Sequence, residues 1–257
     1  MAKLTRLQQN IAVQLEFWKT MAVASQEIAG ATVVTTHLAD PFLNLVVNTQ
    51  FKDENFAPHL EKVIDFFAIH KVPWTWWLNP LTSPAKLGDT LGRYGLKLIE
   101  EVPSFYLDLN KTLPLELPPD LSIKKLSGDD LLNDWIQAIN EGFPSEDNAE
   151  GFRKLNYHLP HGANAALQHY VAYLNQQAVA SITLFKGTQA VMIHNVATKV
   201  AFRKRGFATA LLIYILQEAK NVGFQHCFLD SSMHGKDLYQ KVGFVKCSEQ
   251  SVYSLNA

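Results

Sequence analysis

Two short segments of the chain repeat at a separation of 148 residues. Residues 94–98 match residues 242–246, with a glycine at the second position of each, and residues 105–107 match residues 253–255. The strands and helices that the hydrophobic pattern predicts before each match occur in the same order. A shared motif within a shared order of elements indicates a tandem duplication. Because strands alternate with helices in both copies, we expect two mixed α/β units.

Proline placement indicates where one unit ends and the next begins. All 11 prolines lie at or before Pro160, and three of them, Pro114, Pro118 and Pro119, fall within six residues. Proline disfavours helix and removes a backbone donor, so this stretch is predicted to be an extended linker. The predicted domains are residues 1–117 and residues 118–257.

The charge balance excludes some classes of partner. The 257 residues carry 23 lysines and arginines against 24 acidic residues, so no global positive field favours nucleic acid. Cys227 and Cys247 are too few for a disulfide framework, which favours a reducing, cytoplasmic setting. The chain shows no secretory signal at its start and no apolar stretch of 18 residues, so no membrane partner is expected.

A basic, glycine-containing loop is the clearest functional motif. Arg203, Gly206 and Ala208 follow the pattern R-x-x-G-x-A between a strand predicted over 190–198 and a helix predicted over 207–222. Backbone amides at a helix N-terminus, together with the helix dipole, bind phosphate oxygens. Small residues leave room for that approach, and Arg203, Lys204 and Arg205 supply positive charge. The alternative is an ordinary basic turn before a helix.

The loop resembles motif A of the GNAT acetyltransferase superfamily, which holds the pyrophosphate of acetyl-coenzyme A. Residues 235–244 resemble that superfamily's helix with a tyrosine followed four residues later by Gly-Phe. Both motifs occur in the family's order over residues 120–257. The resemblance implies a mostly antiparallel central sheet flanked by helices, in two tandem copies of which the first is degenerate, similar to some two-domain bacterial members.

The resemblance also implies site residues. The strand before the loop would hold the pantetheine arm, the loop amides would hold the pyrophosphate, and Ser232 stands where the family often has asparagine. The implied cofactor-binding residues are Val196, Ala197, Thr198, Val200, Arg203, Lys204, Arg205, Gly206, Phe207, Ala208, Thr209, Ser232 and Tyr239.

Acyl transfer to an amine also needs groups that move protons. Tyr239 takes the position of the family tyrosine near the cofactor sulfur, where a phenol protonates the leaving thiolate. A strand N–H near Val196 would stabilise the oxyanion. Candidates for the base are His194, Asp230 and, third, Glu141; strand alternation would place His194 on the same face as Val196 and Thr198. A water relay and purely structural roles are the alternatives.

Other segments predict no second site. In the first copy the equivalent loop, residues 48–57, has no glycine and carries Asp53 and Glu54 where phosphate would lie. His158 and His161 flank Pro160 without acidic or cysteine partners, so no metal site is predicted.

The sequence therefore predicts a cytoplasmic acetyl-coenzyme A-dependent N-acetyltransferase with one site per chain. Its acceptor would be a small-molecule or peptide amine, and the protein would be a monomer or homodimer. A non-catalytic acyl-coenzyme A sensor is the alternative.

Overall fold

The computed structural model describes residues 4–52, 56–127, 129–143, 151, 155, 159, 165–232 and 235–255. The chain forms two compact units, of which the first contains Met1–Ser104 and Lys246–Ala257 and the second contains Phe105–Val245. This division differs from the predicted boundary near residue 117. The cause is strand pairing, because the last residues of the chain form a strand within the first unit's sheet.

The first unit is a mixed sheet with helices. Its strand order is β1-β2-β3-β4-β11-β5, with β3 and β4 parallel and β1/β2, β2/β3 and β4/β11 antiparallel. The elements are α1 (Arg6–Met21), β1 (Ala24–Ile28), β2 (Ala31–Thr35), β3 (Asn44–Val47), α2 (Ala57–His70), β4 (Thr75–Leu78), α3 (Leu87–Arg93), β5 (Lys97–Asp108, to Ser104 in this unit) and β11 (Val245–Ser254).

The first helix is shorter than its hydrophobic pattern predicts. The sequence favours one helix over residues 4–28, but α1 ends at Met21 and residues 24–28 form β1. Ala29 and Gly30 both have positive φ, 52° and 101°, which suits a tight two-residue hairpin turn between β1 and β2. Pairing with β2 therefore overrides the helical preference of residues 24–28.

The second unit holds the glycine-containing loop. Its strand order is β5-β10-β9-β8-β7-β6, in which β9 and β10 are parallel and β6/β7, β7/β8 and β8/β9 are antiparallel. The elements are the end of β5, β6 (Leu121–Lys125), α4 (Asp129–Gly142), β7 (Leu167–Leu174), β8 (Gln177–Lys186), β9 (Val191–Thr198), α5 (Phe207–Asn221), β10 (His226–Asp230) and α6 (Lys236–Val242).

The element order confirms the tandem duplication. The order β1-β2-β3-α2-β4-α3-β5 recurs as β7-β8-β9-α5-β10-α6-β11. The repeated glycines also share a conformation, since Gly95 and Gly243 follow α3 and α6 with φ of 86° and 106°. Only glycine adopts this left-handed conformation without steric cost, which explains why it recurs in both copies. The predicted α/β fold with mostly antiparallel, helix-flanked sheets is confirmed.

The two faces of the second unit's sheet have different cores. On one face, α5 buries Leu211, Leu212 and Ile215 against Val191 and Ile193 of β9, which anchors the helix behind the loop. On the other face, α4 packs its tryptophan and isoleucines against β7, β8 and Ala197. Each fully buried aliphatic side chain contributes about 1.5–3 kcal/mol. Within the described residues no helix combines the length and apolarity needed to cross a membrane.

Candidate active site

Strands β9 and β10 separate at their carboxyl ends. Their parallel pairing runs from Val191 opposite Cys227 to Ile193 opposite Leu229, whereas β9 continues to Thr198. Asp230 ends β10 one residue past the last pair. Because carboxyl ends of parallel strands meet at one edge of the sheet, Asp230 and the end of β9 lie at the same edge. This is the edge from which the glycine-containing loop departs.

A bulge in β9 lies at this edge. Thr183 of β8 pairs with His194 and Ser181 pairs with Ala197, so Asn195 and Val196 together lie opposite the single residue Ile182. Asn195 has a φ of 52°. Two residues opposite one define a β-bulge, which interrupts the regular ladder.

The bulge corrects the predicted orientation of His194. Val196 packs with Ile193 against the α5 core, whereas Ala197 packs against the α4 core. His194, next to Ile193, therefore points to the α4 face and does not share a face with Val196. The prediction was wrong because strict alternation fails where an extra residue is inserted.

The N-terminus of α5 is open, as the motif predicts. Gly206 is its N-cap with φ of 82°, and no side chain among the described residues caps the amides that follow. A Cβ placed on Gly206 would meet no atom within 4 Å. The amides of the first turn, from Phe207 to Thr209, therefore retain their capacity to bind an anion.

The three predicted cations differ in their surroundings. Arg203 donates from Nη2 to the carbonyl of Gly142 at 2.6 Å and from Nε to the carbonyl of Thr198 at 3.3 Å. The guanidinium of Arg205 lies 4.9 Å from the ring centre of Phe207. Lys204 is exposed, with a φ of 61°. Arg203 therefore fastens the loop to α4, and Lys204 and Arg205 supply charge at its exposed side.

The sequence analysis did not predict an ion pair between a buried lysine and a half-exposed glutamate. Lys199 Nζ lies 3.1 Å from Glu141 Oε1, with the lysine side chain 5% exposed and the glutamate 48% exposed. The last turn of α4 also packs closely on β9, since a Cβ on Gly142 would lie 2.8 Å from the Cβ of Ala197. Lys199 and Arg203 together hold α4 to the loop. Glu141 has a structural role in this pair, and its role as a base stays a prediction.

Tyr239 lies beside the end of β10. Its ring is so close to Gly235 that a Cβ there would lie 2.8 Å from Tyr239 Cε2 and 3.2 Å from Ser231 Oγ. Ser231 precedes the exposed Ser232, and its hydroxyl donates to the carbonyl of Ser232 at 2.7 Å. The ring is packed 6.3 Å from that of Phe105. Burial raises the pKa of Tyr239 above its ordinary value, so the phenol stays protonated at neutral pH.

His194 is a weak base in this setting. The residue is partly exposed, but its Nε2 is buried, and burial lowers the pKa of His194 to about 3 from an ordinary 6.5. The ring is therefore neutral at pH 7, and its conjugate acid is strong. A base this weak is poorly matched to an ammonium with a pKa of about 10.4.

We expect His194→Gln to reduce the acid sensitivity of the fold. Below pH 6.5 the unfolded chain binds a proton at His194, whereas the folded chain does not until about pH 3. Wild-type stability is therefore lost as the pH falls through this window. Thermal unfolding at pH 8 and pH 5 should show a smaller difference in Tm for the variant. The Tm at pH 8 serves as the control, because His194 is then neutral in both the folded and the unfolded chain. An equal difference in Tm for the wild type and the variant would contradict the expectation.

The corresponding place in the first unit is occupied by its own chain. Gln50 forms a parallel bridge with Ser83, Phe51 N donates to the carbonyl of Ser83 at 3.0 Å, and Ser83 N donates to the carbonyl of Thr49 at 3.1 Å. The indole of Trp76 on β4 donates to Thr49 Oγ1 at 3.0 Å. Segment 49–51 thus pairs where β9 and β10 separate in the second unit. Asp53 and Glu54 lie outside the described residues.

No metal centre is formed by the part of the chain that the structure describes, which contains no group of three or more histidine, cysteine or acidic residues placed to hold an ion. His158, Pro160 and His161 lie outside the described residues.

Solved structures share this fold. A GCN5-related N-acetyltransferase from Kribbella flavida superposes with a TM-score of 0.77 at 15% identity, over 96% of each chain. One from Sphaerobacter thermophilus gives 0.66 at 14% identity, over 89% of this chain and 78% of that chain. A tandem GNAT protein from the clavulanic acid biosynthesis pathway gives 0.61 at 11% identity, over 87% and 77%. The chain therefore has the fold of GCN5-related acetyltransferases, including a tandem one.

A sequence model of the acetyltransferase (GNAT) family matches residues 132–244. This range contains the loop, the open end of α5, Asp230 and Tyr239. The second repeat thus matches the acetyltransferase (GNAT) family in sequence, and this match confirms the resemblance noted in the sequence. GNAT domains are in general acyltransferases that use acetyl-coenzyme A. A search of curated protein sequences found no match.

Proposed function

We propose that the chain transfers an acetyl group from acetyl-coenzyme A to a primary amine of a small molecule or peptide, at one site in the second unit. The observation that carries the proposal is the uncapped N-terminus of α5 behind Gly206, at the sheet edge where β9 and β10 separate. Nucleic acid is not part of the proposal, since the net charge is −1, and no membrane partner is proposed. We expect a monomer or homodimer.

The described residues fit the proposed donor. The pyrophosphate would bind the amides of the first turn of α5, with Lys204 and Arg205 nearby and Gly206 leaving space. The pantetheine arm would lie along Val196–Thr198, where β9 has parted from β10. Ala208, small and partly exposed, leaves the amides accessible. Arg203 would act indirectly, by holding the loop to the carbonyl of Gly142.

The chemistry requires three tasks of these residues. A main-chain N–H at the bulge near Val196 would bind the oxyanion of the tetrahedral intermediate. Tyr239, whose phenol is protonated at neutral pH, would donate a proton to the departing thiolate and regain one from solvent. Asp230, at the end of β10, stays our prediction for the group that attracts the ammonium, and a water relay would carry the proton of the ammonium to solvent. His194, with a pKa of about 3, does not suit that task.

The cellular setting is also proposed. Cys227 and Cys247 are both free thiols, the first buried and the second partly buried. Thiols of this kind persist in a reducing compartment, which supports a cytoplasmic location.

The proposal is tested by thiol release and calorimetry together. Acetyl-coenzyme A would be incubated with the protein and a panel of polyamines, aminoglycosides, amino acids and lysine peptides, and free thiol measured. We expect turnover with at least one amine and one acetyl-coenzyme A bound per chain. Two bound molecules per chain would contradict the single site. Binding without turnover on any amine would favour the sensor instead.

A further inference from the structure

The bulge in β9 is held by a side chain of the neighbouring strand. Asn195 Nδ2 donates a hydrogen bond to Oγ1 of Thr183 on β8, at 3.4 Å. Asn195 is the bulged residue with a φ of 52°. A non-glycine residue rarely adopts this conformation, and asparagine does so more readily than most. The contact therefore joins the unusual backbone of the bulge to the regular part of the sheet.

Thr183 is itself fixed from the other side. Its Oγ1 lies 2.9 Å from Nδ1 of His169 on β7. The register places His169 opposite Thr183, and Thr183 opposite His194, so the three residues form one row across three strands. The ring of Trp135 on α4 packs on His169 with centroids 4.1 Å apart. The row therefore lies within the sheet, and α4 covers it at His169.

The hydroxyl can serve both neighbours at once. A threonine hydroxyl has one proton and two lone pairs, and the amide nitrogen of Asn195 can only donate. Thr183 therefore accepts from Asn195 and still exchanges a hydrogen bond with Nδ1 of His169. Thr183 and His169 are each only 1% exposed, so water does not replace either bond easily. Loss of the hydroxyl would leave Nδ1 of the buried His169 and the amide of the partly exposed Asn195 without this partner.

We infer that Thr183 is a positioning residue, which acts through Asn195 to hold the bulge that presents the main-chain N–H near Val196 to the acyl group. This inference rests on the proposed function and deepens it. Thr183 lies on the α4 face, whereas Val196 faces the α5 core, so Thr183 acts without touching the acyl group. Its effect is expected on the chemical step, since the α5 amides that hold the pyrophosphate are unaffected.

The test compares Thr183→Val with two matched variants. Valine keeps the shape and removes the hydroxyl, Thr183→Ser restores the hydroxyl, and Ser181→Ala removes another buried hydroxyl on the same strand and face. Ser181 Oγ has no hydrogen-bond partner among the described residues, so its loss should have no effect. For each variant, kcat would be measured with acetyl-coenzyme A and the best amine of the panel. The Kd of coenzyme A and the amide hydrogen exchange of residues 195–197 would be measured as well.

We expect Thr183→Val to lower kcat roughly tenfold, less than loss of an oxyanion donor itself, and to leave the Kd of coenzyme A within about twofold. Exchange at residues 195–197 should accelerate, and Thr183→Ser should restore both values. The inference would be overturned if Thr183→Val kept the kcat and the exchange rates of the wild type. It would also be overturned if Ser181→Ala lost as much kcat as Thr183→Val. If the wild type acetylates no amine, the proposed function fails separately. Amide hydrogen exchange then tests the inference without kinetics. Unchanged exchange at residues 195–197 in Thr183→Val rejects the positioning role, and accelerated exchange supports it.

Discussion

Gly206→Ala should weaken the binding of coenzyme A by roughly 10- to 100-fold. Gly206 has a φ of 82°, a conformation that costs an L-residue about 1–2 kcal/mol. The added Cβ would also take up part of the open space at Gly206, next to the α5 amides that are proposed to bind the pyrophosphate. Isothermal titration with coenzyme A measures the effect without any knowledge of the acceptor.

The other end of the same helix supplies the control. Gly223 follows α5 with a φ of 100°, and a Cβ on it would likewise meet no atom within 4 Å. Gly223→Ala should therefore reduce the free energy of unfolding by a similar amount while the Kd of coenzyme A stays unchanged. If the two variants lose affinity equally, the loss comes from backbone strain in α5, and the anion site at Gly206 is wrong.

Tyr239→Phe should lower kcat by about 100-fold with little change in the Kd of coenzyme A. General acid catalysis contributes roughly 10²–10⁴ in rate, and phenylalanine retains the ring that packs on Phe105 and Phe244. Because burial raises the pKa of Tyr239, the phenol should remain a donor throughout the neutral range. No loss of rate from its ionisation is then expected as the pH rises from 6 to 9.

Steady-state kinetics with the best amine of the panel would separate kcat from KM. Tyr214→Phe is the matched control, since Tyr214 lies on α5 in the same unit and packs against Tyr170 instead. A kcat for Tyr239→Phe equal to that of Tyr214→Phe would remove the phenol from the mechanism and leave it a core aromatic.

Much of the fold was predictable because local patterns and the repeat agree. The order of strands and helices around Gly95 recurs around Gly243, and both glycines have the positive φ that ends a helix. The first helix was predicted too long. Residues 24–28 have a helical pattern, but the hairpin turn at Ala29 and Gly30 pairs them with β2. Strand pairing between segments is a tertiary effect that a local pattern does not contain.

Part of the candidate site was likewise predictable from local sequence, and part depends on tertiary structure. The open end of α5 is encoded within a few consecutive residues, and Gly206 there has a positive φ, which glycine adopts without steric cost. The orientation of His194 was predicted wrongly, because the bulge depends on how β8 pairs with β9. The ion pair of Lys199 and Glu141 joins residues 58 positions apart, and no short sequence pattern predicts such a pairing.

The sequence by itself determined the mixed α/β class, the tandem repeat and the loop that begins α5, because each depends on neighbours within one element or turn. Only the tertiary structure decided that β11 completes the first unit's sheet, and that segment 49–51 occupies the first unit's counterpart of the site. It also decided that Thr183 holds the bulge of β9. These features arise from hydrogen bonds and burial between segments far apart in the chain, whose energies appear only once the strands are assembled.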